Sequence, residues 1–209
     1  MATVLRARRR ALFSGVLVAA TAMVALPAAT AEAAAPARAT GPVTKALTFT
    51  CEFPLIGAHQ VTANVSAVFP GSVAAGSPID VTDFSVGVSL EGDVLTALNL
   101  IGAATIEGTA AANVDVDYNG TELGVTLNGL AFPSTPVPET GPLAIAITGP
   151  IPGLTVKNSG TVAFAVGGAF TGQVTPRRAD GSPTDLGTFP LPCGLDAGQD
   201  PALAVVTVS

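Results

Sequence analysis

The clearest metal-ligand spacing in the chain is the run Asp115-Val116-Asp117-Tyr118-Asn119-Gly120. Oxygen-bearing side chains at alternate positions, closed by a glycine, form the first half of the calcium-loop pattern D-x-[DN]-x-[DN]-G. A hard cation needs such oxygens from a chain that turns tightly. The match then stops, because Thr126 stands where the bidentate glutamate would be, and the flanks read as strands rather than helices. Two readings stay open. Asp115, Asp117 and Asn119 are the candidate calcium ligands, with Asn113 and Glu122 as further oxygens. Alternatively, the run is a solvated strand face ending in an Asn-Gly hairpin turn.

Catalytic chemistry has little to work with. His59 is the single histidine, so any Ser-His-Asp or Cys-His arrangement would have to use it. It stands in a polar stretch at the start of a strand pattern, where a surface histidine is the simpler reading. No Gly-x-Ser-x-Gly elbow and no clustered zinc-ligand spacing occur. Paired carboxylates for glycoside hydrolysis would need aromatic platforms for sugar, and the chain has no Trp and one Tyr. The sequence therefore reads as a non-enzyme, with calcium as the one cofactor to consider.

The elements that would position these residues are β-strands. From Ile106 to Tyr118 the even positions are small or apolar and the odd ones mostly polar, the period-two signature of a half-buried strand. Asn119-Gly120 turns the chain, and Leu123, Val125 and Leu127 resume the alternation. Gly108, Ala110 and Ala112 on the inward face predict close packing there. Further alternating runs cover Leu47–Phe53, Val61–Phe69, Phe84–Leu90, Leu143–Ile147 and Val162–Val166. A change of phase near Thr82-Asp83 predicts a bulge. Gly92 to Ile101 is the one helical candidate, with Asp93 as its cap, placed to cross over or to plug one end. Phe132 to Pro142 carries four prolines and reads as non-strand or edge. Phe-Pro recurs four times, and the simple reading is a last core Phe with Pro ending the ladder. The pattern as a whole predicts an all-β fold, an immunoglobulin-like or related antiparallel β-sandwich with one short crossover helix.

The domain plan follows from composition. Arg6, Arg8, Arg9 and Arg10 precede an apolar run, and Ala31-Glu32-Ala33 offers a small-x-small cleavage site, so residues 1–33 read as a secretory signal. The Arg9-Arg10 pair leaves both an ordinary basic start and a twin-arginine signal open. Residues 34–44 read as a flexible leader and 45–209 as a single β-sandwich domain. The whole chain is already acidic at −6, and losing the signal removes four of its nine basic residues. Such a surface gives phosphates nothing to bind, which argues against nucleic acid. No second apolar span follows the signal, so the expectation is a secreted protein, extracellular or loosely held at the cell surface. Its partner, in the envelope or outside it, is unspecified. In an exported chain the two cysteines, Cys51 and Cys193, read as one disulfide.

Three stretches carry a resemblance: Thr50-Cys51-Glu52-Phe53-Pro54-Leu55-Ile56-Gly57, then Gly102-Ala103-Ala104-Thr105-Ile106-Glu107-Gly108-Thr109-Ala110, then Cys193. Together they resemble a family of secreted actinobacterial domains known only as a domain of unknown function. The resemblance runs from about Lys45 to the C-terminus. It implies an exported β-rich domain with a cysteine near each end, and it brings no catalytic residues. The function expected on these grounds is a non-catalytic module, structural or adhesive at or near the envelope. A calcium- or small-ligand-binding domain is the alternative, and an extracellular hydrolase the least favoured.

Overall fold

Alternating side chains commit most of this chain to strands, and the computed structural model describes residues 39–209 in those terms. The signal segment expected at 1–33 lies outside the described residues, as does the start of the leader. The strands are β1 (Ala39–Phe53), β2 (Gly57–Pro70), β3 (Ser72–Val73), β4 (Pro78–Ile79), β5 (Thr82–Leu90), β6 (Thr105–Tyr118) and β7 (Thr121–Pro136). They continue with β8 (Leu143–Ile147), β9 (Leu154–Thr155), β10 (Gly160–Arg177), β11 (Phe189–Leu195) and β12 (Ala202–Val208). One helix, α1 (Asp93–Leu100), separates β5 from β6. Among the described residues the fold is all-β with a single short helix, as the periodicity predicts.

The strands form one ten-stranded sheet plus a two-stranded ribbon of β4 and β9. Its antiparallel path runs β8-β5-β2-β1-β11-β10-β6-β7. The two ends of that path meet. Ala131 on β7 bridges Thr148, just past β8, through N–H to carbonyl bonds of 2.8 and 2.9 Å in both directions. The sheet is thus rolled on itself, and its opposing walls face one another across a common interior as the layers of a sandwich do. Long β10 spans the roll: β6 flanks it on one side, while β12 and then β11 flank it on the other.

The interior has two buried apolar clusters. One gathers Leu47, Phe49, Val88, Leu90, Ile106 and Leu143 toward the end where α1 lies. The other gathers Phe69, Ile79, Val116, Val162, Phe164 and Val206 toward the opposite end. Cys51 and Cys193 are disulfide-bonded across neighbouring positions of β1 and β11, both buried in the first cluster.

Several local expectations are corrected. Residues 39–44, expected in the flexible leader, are strand: Pro42, Val43 and Thr44 pair with Val68, Ala67 and Ser66. The partner strand β2 is long enough to template that extension, which propensity alone does not reveal. Asp93 is the first helical residue rather than the cap; Gly92 is the cap residue, without a side-chain bond. Phe132–Pro136 is strand, but an edge one rather than central, as its prolines require. An extra residue opposite Ile106–Gly108 bulges the chain at Pro133-Ser134, and beyond Ala131 β7 has no ladder on its outer side, so the prolines forfeit no bonds. Phe189-Pro190 opens β11 rather than ending a strand. The phase change at Asp83 is real: it has φ 52°, with a register shift between Ser66 and Val68.

The bond between Cys51 and Cys193 closes a loop of 142 residues. Replacing both cysteines with alanine is expected to lower the unfolding free energy by up to about 5 kcal/mol. Urea denaturation of the two proteins checks this. Because both sulfurs are buried, reductant without denaturant is expected to leave the bond intact on mass analysis.

Candidate functional site

The acidic run falls where its spacing predicts, at the tip of a two-residue hairpin joining β6 to β7. Asn119 and Gly120 have φ 51° and 84°, the pair of positive values that this turn demands. Two of the candidate oxygens are engaged there. Asp117 Oδ1 accepts the Gly120 N–H at 2.9 Å. Asn119 Oδ1 accepts the Thr161 N–H at 3.0 Å, which draws its amide toward β10. A Cβ at Gly160 would strike that amide, so the glycine at 160 makes room for it. Asn113 Oδ1 accepts from Thr126 at 3.2 Å. Asp115, Asp117 and Glu122 share the rim of an open depression with the exposed Leu123 and Val205. Among the described residues no three His, Cys, Asp or Glu side chains gather closely enough to hold a metal ion.

His59 is half-buried beside the β1–β2 turn. Its Nε2 donates to the Ile56 carbonyl at 3.2 Å, and its ring meets Phe53 edge-on.

A different feature dominates the interior. Three cavities adjoin along the roll, of about 90 Å³ at the α1 end, about 50 Å³ at the waist and about 150 Å³ at the far end. The first two share Val88, Ala110, Ile147 and Phe170 as walls; the second and third share Val65. Asn113, already bonded to Thr126, is the only polar side chain in any lining. The small residues of β6 explain part of this space. Gly108 is close-packed as expected, with the Phe132 ring and the Gln173 carbonyl where a Cβ would be. Ala110 and Ala112 instead face the cavities, and their short side chains leave the volume unfilled. Periodicity identifies an inward-facing alanine but not whether the opposite wall reaches it.

The α1 end is closed by a helix and loops. Helix α1 turns Val94 and Leu98 onto the first cavity, the following Ile101 joins them, and Asn99 ties the helix to the β7–β8 loop through the Pro138 carbonyl at 3.2 Å. Gly92 and Gly102, at φ 59° and 70°, flank it. The β10–β11 loop supplies Leu186 to the same cavity. Ion pairing of Arg178 with Asp185 at 2.8 Å braces that loop. Two bonds from Ser182 onto Asp180 Oδ1 brace it further and hold the Asp180 carboxyl below its ordinary range. That contribution is present above the usual aspartate pKa and is lost as the pH falls through the lowered one. Thr184, in the same loop, is 4% exposed, and its hydroxyl is the one buried side-chain polar atom without a partner among the described residues.

Thr184→Val removes that unpaired hydroxyl while keeping the branched shape, and is expected to raise stability by about 1 kcal/mol in urea denaturation. At the hairpin Asp117 and Asn119 each have an oxygen engaged, and among the described residues no three metal-ligating side chains gather there. Millimolar calcium is therefore expected to leave the melting temperature unchanged; a clear rise would assign Asp115, Asp117 and Asn119 as ligands.

A model for a family of unknown function (DUF6801) matches residues 48–204 of this chain. No curated protein and no solved structure matches it.

Proposed function

The chain belongs to this family of unknown function, and on that premise we propose that it is a non-catalytic extracellular module that binds a small apolar ligand inside its rolled sheet. The row of apolar cavities is the observation that carries the reading. Protein interiors normally pack to crystal-like density, and unfilled volume forfeits dispersion contacts along its whole lining. A void of about 90 Å³ has room for several waters, but these walls offer them no hydrogen-bond partners. Such a space is filled favourably by an apolar guest. The buried disulfide suits an oxidising compartment, and the acidic chain suits a soluble exported protein.

A structural or adhesive role at the envelope is the second reading. The open depression near the hairpin favours it, since exposed Leu123 and Val205 stand there within an acidic rim.

The test uses a polarity-sensitive naphthylamine dye titrated into the oxidised protein. Binding with enhanced fluorescence and a raised melting temperature are expected. Ala97→Trp, which projects an indole from α1 into the first cavity, is expected to weaken dye binding at least tenfold. Leu123→Ser, at the depression, is expected to leave it within twofold. Absence of dye binding, or loss through Leu123→Ser alone, would overturn the interior-ligand reading.

A further inference from the structure

Resting on the interior-ligand reading, we propose that the guest is a single unbranched alkyl chain of the fatty-acyl class, threaded along the roll with its polar end outside beneath α1. Its shape follows from the cavities. They adjoin end to end, and the waist, at about 50 Å³, is smaller than either neighbour. The Phe49 and Phe170 rings stand at that waist with centroids 4.9 Å apart. A rigid fused-ring ligand fits one chamber but cannot occupy all three; a flexible chain can. Along β2 the linings are met in sequence: Val61 at the first cavity, Ala63 at the waist, Val65 between waist and far end, and Ala67 and Phe69 at the far end. From Val61 to Phe69 that face covers about 26 Å of strand.

The orientation follows from the two ends. The far cavity is floored by the segment 151–154, part of which pairs with β4, and Gly153 abuts Asp80 too closely for a Cβ. The near cavity is covered by α1, whose flanking glycines have positive φ and whose N-terminus has no side-chain cap. Leu55 and Leu100, 78% and 82% exposed, mark the β1–β2 turn and the end of α1. No polar side chain lines the first cavity, so a carboxylate or a phosphate-bearing head gains nothing by burial and stays in water. Free fatty acid and the acyl chain of a membrane lipid share this chemistry.

Chain length tests the proposal on the full oxidised protein. Octanoate, dodecanoate and hexadecanoate are each titrated by displacement of the naphthylamine dye. Affinity is expected to rise about threefold to fourfold for each methylene that finds cavity to fill. Ala67→Leu, which fills the far cavity, is expected to abolish the advantage of hexadecanoate over dodecanoate. Ala63→Leu, at the waist, is expected to abolish the advantage of both over octanoate. Octanoate should stay within twofold in each variant, which also reports a folded protein; if Ala63→Leu does not fold, Ala67→Leu carries the test. Dye binding with equal affinity for all three acids would overturn the threaded chain and leave the interior-ligand reading standing. Failure of dye and acids alike would overturn both. A lysophospholipid of the same chain length is the second arm: tighter binding than the free acid assigns a membrane source, and weaker binding assigns the free acid.

Discussion

Closing a sheet on itself is the constraint on which the rest of this molecule depends. An open sheet can bend until its inward side chains touch. A closed one has a circumference set by strand number and register, so its walls cannot collapse onto whatever lies between them. Here closure runs through one bridge, Ala131 to Thr148, and through the long β10 that anchors both flanks. Once the walls are fixed, each inward position either reaches its counterpart or leaves space. Phe132 reaches Gly108; Ala110 and Ala112 border the cavities instead.

This explains which parts of the fold were legible in the sequence. Alternation over Ile106–Tyr118 and the Asn119-Gly120 turn are local, and both stand as read. So does the pairing of Cys51 with Cys193, which needed only their count and the expectation of an oxidising compartment. The rolled topology was not legible, because β1 pairs with β11 and β7 meets β8 through registers no short stretch encodes. Residues 39–44, expected as leader, are strand for the same reason: Val43 and Thr44 have no alternation of their own and are held by Ala67 and Ser66. The cavities were hidden most deeply, since an unfilled volume belongs to opposing walls together and to neither alone.

The candidate site shows the limit of motif reading. Asp115, Asp117 and Asn119 have the spacing of a cation loop, yet in the hairpin Asp117 closes the turn onto Gly120 and Asn119 reaches across to Thr161. A short acceptor spaced two or three residues before a backbone N–H satisfies it whether or not a metal is near. The interior, by contrast, offers no motif at all, because an apolar lining is written in the residues any core uses.

The pairing of β1 with β11 also orders events in time. The first long strand of the domain has a flank that stays open until residues near Cys193 arrive. A chain emerging from its N-terminus must therefore hold Leu47, Phe49 and Cys51 uncovered on that side until almost all of it is present. Contacts this distant in sequence make folding slow and late. The completed wall appears only after synthesis has delivered both of its edges, and the disulfide then records that the two have met.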